Sequence, residues 1–350
     1  MPADRTDRND GRSITAFYLQ AADQLPQSFS GRATRRSTAP RMSRATASFS
    51  SELGVGDSLG AGDSYLVADI LPEELAEVAF ENMRTEVKWY TMYHRGGEVP
   101  RLVAVEGDVG PDGSFPLYRH PADESPPLSA FSPTVACIRD YVQKFLQHPV
   151  NHVLIQHYRS GKDHISEHSD KTIDVVRGSN IVNVSLGAQR VMTLRLKAAR
   201  KKDEEVPSVT DANSDAPGTP PPRLTQRIPL PNNSMFVMGP ETNKYWLHGI
   251  KHDNRALSSK SEAELFQGGE RISLTFRHIG TFLTADESKI YGQGAKGKTK
   301  ETARPVVSGG AESEALIRAF GEENQRNDFD WDLNYGEGYD VLHFAEQQDD

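Results

Sequence analysis

Asn180–Lys197, NIVNVSLGAQRVMTLRLK, decides the fold. Apolar and polar residues alternate along it, the period of a strand whose side chains point to opposite faces in turn, with a turn signal at Gly187. The same alternation recurs in NHVLIQHY (151–158), NSMFVMG (233–239), YWLHGI (245–250) and RISLTFRHIG (271–280), each bounded by turn residues. Two helices precede these strands. YLVADILPEELAEVAFENMRTEVKW places Leu71, Leu75, Val78, Ala79 and Met83 at helical spacing behind the start signal of Pro72. SPTVACIRDYVQKFL places Val135, Ile138, Tyr141, Val142 and Phe145 on one face behind Ser132 and Pro133. Many short strands after two helices predict a mainly β domain with flanking helices, an antiparallel sandwich or jelly roll.

Around that core the chain is polar. Residues 1–60 are rich in Ser, Thr, Arg, Gly and Asp without apolar periodicity, and read as a disordered N-terminal tail before a domain over 61–283. Within the tail, GRATRRSTAPRMSRATASFSS carries five arginines and no acid, which fits a solvated tail, a nucleic-acid arm or a mitochondrial transit-like segment. Residues 198–227 are charged, then rich in Pro, Ser and Asp, and read as a disordered insert between strands. Residues 284–350 form a polar extension, with a helix expected around Glu312–Phe320 ahead of the acidic, aromatic NDFDWDLNYGEGYDVLHF. That tail fits docking on the domain or on a partner.

Composition excludes several function classes. With 350 residues, 36% hydrophobic and 25% charged, the chain can bury one sizeable core. Its single cysteine, Cys137, rules out a disulfide scaffold and a Cys-based zinc site, so the nucleus or cytoplasm is the expected setting. No apolar run approaches the ~18 residues of a membrane span, and no secretory signal is expected at the start. A net charge of −9 argues against a globally basic nucleic-acid binder and leaves room for a local patch.

HYRSGKDHISEHSDKT (157–172) concentrates three histidines and two aspartates. In an extended backbone His168 and Asp170 project the same way, so they could share a metal, although a lone H-x-D in a chain with 11 histidines is weak evidence beside a solvated loop. His248, in the strand-like YWLHGI beside Trp246, could complete a two-histidine, one-carboxylate facial triad suited to non-haem Fe(II), or be a core histidine. In RISLTFR, Arg271, Ser273, Thr275 and Arg277 share one strand face, and Ile272, Leu274 and Phe276 the other. The polar face is either solvent-exposed or interior, and interior guanidiniums demand an anion such as a dicarboxylate.

YRSGKDHISEHSD, SLGAQRVMTLR, WLHG and RISLTFR, in this order and spacing, resemble the AlkB family of Fe(II)/2-oxoglutarate-dependent dioxygenases over roughly residues 65–283. The resemblance implies a double-stranded β-helix, oxidative N-demethylation or dealkylation of alkylated nucleobases in DNA or RNA as in DNA repair, and Fe(II), 2-oxoglutarate and O2 as cofactor and cosubstrates. By position His168, Asp170 and His248 match the iron ligands. Tyr158 and Arg271 match the groups on the distal carboxylate of 2-oxoglutarate, and Arg277 the one near its keto-acid end. Gln156 and Ser273 stand where the family usually has Asn, and both retain hydrogen-bonding capacity. Lys171 and Thr172 replace the acidic residues that commonly follow H-x-D and help read the damaged base. Hydroxylation of a small metabolite or protein side chain at the same iron, and a non-catalytic binding module, are the alternatives.

For the substrate, YTMYHRGGEVPR (90–101) reads as a hairpin, either an ordinary one or one whose Met92 or Tyr93 fills the gap left by a flipped base while Arg95 and Arg101 meet phosphates. Tyr118 is a further candidate substrate contact. Alkylated nucleic acid is the expected partner, and a monomer the expected state.

Overall fold

A computed structural model describes residues 52–94, 97–121, 125–198 and 223–344. Its strands, numbered in chain order, build two facing sheets. The larger runs β1 (Tyr65–Val67), β11 (Ser234–Met238), β8 (Ile181–Gly187), β13 (Arg271–Arg277), β6 (His152–Tyr158), β3 (Gly97–Gly107) and β2 (Tyr90–His94), with β5 (Leu128–Ala130) beside β3. The smaller runs β10 (Thr225–Leu230), β9 (Arg190–Leu196), β12 (Trp246–Ile250) and β7 (Ile165–His168). A third sheet orders β16 (Arg304–Pro305), β15 (Lys289–Gly292), β14 (Thr281–Leu283) and β4 (Phe115–Pro116), and β17 (Val307–Ser308) pairs with β18 (Val341–His343). The helices are α1 (Glu73–Glu86), α2 (Pro133–Leu146), α3 (Pro240–Tyr245), α4 (Glu262–Leu265), α5 (Gly310–Gln325) and α6 (Trp331–Tyr335). This is the jelly-roll oxygenase architecture, mostly antiparallel, that the alternation of the strands predicts.

Apolar alternation fills the space between the sheets. Ile181, Phe236 and Met238 of the large sheet bury against Met192, Leu194, Ile228 and Trp246 of the small one. Gly187 ends β8 at φ +88°, and a Cβ there would come within 2.4 Å of the Glu270 carbonyl and 2.6 Å of the Phe80 ring, so the turn into β9 requires glycine. On α1 the buried stripe is Leu75, Ala79, Phe80 and Met83, while Val78 falls at its edge and is 38% exposed. Phe145, expected on the buried face of α2, is 40% exposed because the stripe Val135, Ile138, Val142 passes it by.

Three boundaries differ from the sequence reading. Of the tail, residues 1–51 lie outside the described residues, but 52–60 dock on the domain: Glu52 pairs with Arg227 and Leu59 is buried between the sheets. One anchoring apolar residue in a polar stretch leaves no periodicity to read. Of the insert, 199–222 lie outside the described residues, and its last residues belong to β10, where Arg227 pairs with Thr193. The extension after 283 is folded. Leu316, Ala319 and Phe320 of α5 form a core with Ile173, Tyr335 and Val341, so the aromatic tail docks on its own domain. Among the described residues no helix is long and apolar enough to cross a membrane.

Candidate metal and cosubstrate site

β12 lies between β9 and β7, and its pairing sets His248 directly opposite His168, ring centroids 4.3 Å apart. Two residues past His168, Asp170 brings Oδ1 to 3.7 Å from His168 Nε2 and 3.6 Å from His248 Nε2. These separations are too long for hydrogen bonds and surround a point that an ion could occupy; among the described residues this is the one cluster of three such donors. Two of the three donors are aimed by hydrogen bonds. His168 Nδ1 donates to the Ser166 carbonyl at 2.8 Å, which leaves the Nε2 lone pair facing the cluster. Arg277 donates to Asp170 Oδ2 through Nε at 3.0 Å and Nη2 at 2.6 Å, leaving Oδ1 for the centre.

The electrostatics prepare these donors for a cation. Burial, reinforced by His248, lowers the His168 pKa to about 3, and burial lowers that of His248. Burial alone would raise the Asp170 pKa, but Arg277 and the two imidazoles outweigh it and hold the carboxyl below its ordinary range. At neutral pH the group is therefore two neutral imidazoles and one carboxylate, the protonation states that metal binding needs.

The polar face of β13 opens into the same cavity, of about 580 Å³, which Arg271, Ser273, Thr275 and Arg277 line together with the histidine cluster. Ile272, Leu274 and Phe276 are buried on the other side. The interior reading of RISLTFR is thus the one realised. Arg271, 1% exposed, donates through Nη2 to Asn183 Oδ1 at 2.9 Å and Ser185 Oγ at 2.7 Å. Its Nε and Nη1 are buried and find no acceptor among the described residues. Tyr158 lies under Arg271 with its hydroxyl donating to Gln156 Oε1 at 3.0 Å, and Ser273 Oγ accepts from Asn183 Nδ2 at 2.6 Å.

The family described as the 2OG-Fe(II) oxygenase superfamily matches residues 63–277. The chain belongs to the 2OG-Fe(II) oxygenase superfamily. Human DNA oxidative demethylase ALKBH2 is 29% identical over 58% of this chain and 69% of its own length, and the Mus musculus protein of that name is 28% identical over 58% and 75%. The human alpha-ketoglutarate-dependent dioxygenase alkB homolog 3 is 22% identical over 61% of this chain and 62% of its own. This oxygenase is an AlkB-family, 2-oxoglutarate-dependent dioxygenase that uses Fe(II), 2-oxoglutarate and O2. Its residues fit those groups: a two-histidine, one-carboxylate set suits Fe(II), and the vacant donors of a buried guanidinium suit a carboxylate.

The candidate substrate residues separate in space. Met92 lines the cavity but is buried against Val99 and Val103, so it is a core side chain and not a wedge. Tyr93 is 47% exposed. Arg95 lies outside the described residues. Arg101 is not at a phosphate-facing surface; it is buried in the cavity wall and donates to the His164 carbonyl at 2.9 Å. Tyr118 stacks against the Arg277 guanidinium at 3.9 Å, and its hydroxyl accepts the Lys171 N–H at 3.1 Å.

Sequence reasoning missed the residues that hold these groups. Asn183 and Ser185 were visible as the polar positions of β8, and their parity with Arg271 was a usable signal. Asn243 had none. Its carboxamide accepts the Asp170 N–H at 2.9 Å and donates to the Asp170 carbonyl at 3.0 Å, and it is placed by α3, whose first turn is capped by Asp63.

Proposed function

We propose that this dioxygenase removes N-alkyl groups, methyl above all, from alkylated nucleobases of DNA or RNA, acting as a monomer in the nucleus or cytoplasm in response to DNA damage. The observation that carries the reading is one cavity holding both the His168, Asp170, His248 cluster and the donor-rich face of β13, in a chain whose relatives are named DNA oxidative demethylases.

His168, Asp170 and His248 would hold Fe(II). Tyr158 and the free donors of Arg271 would take the distal carboxylate of 2-oxoglutarate, with Gln156 and Ser273 bracing them, and Arg277 would stand near its keto-acid end. Fe(II) and 2-oxoglutarate held there would supply oxidation of an alkyl carbon by O2, with succinate and CO2 as coproducts. The protein's part is orientation and exclusion of water. Arg277 holds Asp170 Oδ2 so that only Oδ1 faces the centre. The cavity lies in the ~300–1,000 Å³ range of small-molecule sites, and a base in a duplex would have to be flipped into it. A hydroxylated N-alkyl carbon is a hemiaminal, which collapses to an aldehyde and the restored base.

Mass spectrometry of a panel of alkylated oligonucleotides with Fe(II), ascorbate and 2-oxoglutarate tests the reading. Demethylated base and succinate should form with the wild type, and neither with His168→Ala, which should remain folded because His168 sits at the cavity edge. Turnover surviving in His168→Ala would overturn the site. The net charge of −9 favours a second reading, hydroxylation of a small metabolite or protein side chain at the same iron; succinate formation with no change in any oligonucleotide would select it.

A further inference from the structure

The family match ends at Arg277, but the cavity wall does not. Ile317, Phe320, Gly321 and Asn324 of α5 line the cavity beside Asp170 and Lys171. In the loop that carries Asp170, the four consecutive N–H groups of residues 169–172 all go to side chains. Asn324 Oδ1 accepts that of Ser169 at 2.9 Å, Asn243 that of Asp170, the Tyr118 hydroxyl that of Lys171, and Glu323 Oε1 that of Thr172 at 3.0 Å. α5 therefore supplies the first and last of the four. Glu323 Oε1 also accepts the Thr172 hydroxyl at 2.5 Å, and Oε2 accepts the Tyr335 hydroxyl at 2.9 Å. Lys171 Nζ reaches Asn324 Oδ1 at 3.4 Å and Lys197 Nζ the Glu323 carbonyl at 2.7 Å.

The segment that delivers α5 is itself tied down. Arg119, in a buried ion pair with Asp174 at 2.6 Å, donates to the carbonyls of Gly294, Tyr339 and Val341. Glu323 is buried, and its Oε1 would be unsatisfied without the loop.

We propose that the C-terminal segment is a working part of the active site, with Glu323 and Asn324 as positioning residues that hold the Asp170 loop and thereby set the affinity for the metal. The proposal rests on Asp170 as an iron ligand. A loop whose N–H groups have no strand partner keeps its shape largely through these side chains, and a carboxylate that wanders loses metal affinity with the distance it wanders. Partners bonded to a metal ligand typically matter about 10–100-fold, and residues that hold the ligand's neighbours fall at the low end of that range.

The test is titration calorimetry of Mn(II), a redox-silent substitute for Fe(II), into the full chain with 2-oxoglutarate present, with circular dichroism as the check of folding. Asn324→Ala should weaken Mn(II) binding by about tenfold. Asn324→Asp, which keeps an oxygen for the Ser169 N–H and the Lys171 ammonium, should restore most of it. Glu323→Gln should show a smaller loss, and it decides the matter if Asn324→Ala does not fold. Binding unchanged in both Asn324→Ala and Glu323→Gln, while Asp170→Ala abolishes it, would overturn the proposal alone. Wild-type binding in Asp170→Ala would overturn the ligand assignment and the proposal with it.

Discussion

Arg271 is the residue on which the proposed cosubstrate binding turns. Burial draws its pKa down to about 10, so it stays a cation at neutral pH. Asn183 and Ser185 satisfy one nitrogen and leave two with donors and no acceptor among the described residues. A buried cation in that state is costly unless an anion completes it. A charge-assisted hydrogen bond contributes about 1.5–3 kcal/mol, so Arg271→Ala should raise the apparent KM for 2-oxoglutarate by tens to hundreds of fold, read from succinate formation. An unchanged KM would move the cosubstrate elsewhere. The two arginines were legible as one face of RISLTFR; which face turned inward was not, because a seven-residue alternation is the same for either orientation.

At the scale of elements, the β2–β3 hairpin divides the candidate substrate contacts. His94 pairs with Gly97, and a register shift between Thr91 and Tyr93 re-aims the strand. Met92 turns into the core and Tyr93 to solvent, as alternate residues of a strand must in some register. Of the two proposed wedges, Tyr93 is therefore the one exposed to solvent. Tyr93→Ala should weaken demethylation of a duplex oligonucleotide more than of the same sequence single-stranded, since only the duplex has a gap to fill. Equal effects on both substrates would remove the hairpin from base flipping.

At the scale of the molecule, one domain buries several neutral histidines, which ties its stability to pH. His152 on β6 is 2% exposed, and burial, helped by Arg277, lowers its pKa well below 6.5. In the unfolded chain it titrates near the ordinary value of about 6.5. Below that pH the unfolded state takes up a proton that the folded state refuses, so stability falls as pH drops, by up to about 1.4 kcal/mol per pH unit, and this contribution is flat above about pH 7. Urea unfolding of the metal-free protein at pH 7.5, 6.5 and 5.5 should show that slope, and His152→Leu should lower it. An unchanged slope in His152→Leu would assign the acid sensitivity to other groups.

By itself the sequence determined the core strands β6, β8, β9, β11, β12 and β13, the two helices ahead of them, the polar face of β13 and the candidates for the metal cluster, because each is written in local periodicity or in a motif of known spacing. The tertiary structure decided what no local pattern can hold. His248 meets His168 only through the pairing of β12 with β7. Asp170 is held by Asn243, 73 positions away, and its neighbour Ser169 by Asn324, 155 positions away. Hydrogen bonds over such separations leave no periodicity in the chain, and a polar residue destined for burial reads like one destined for water until the fold supplies its partner.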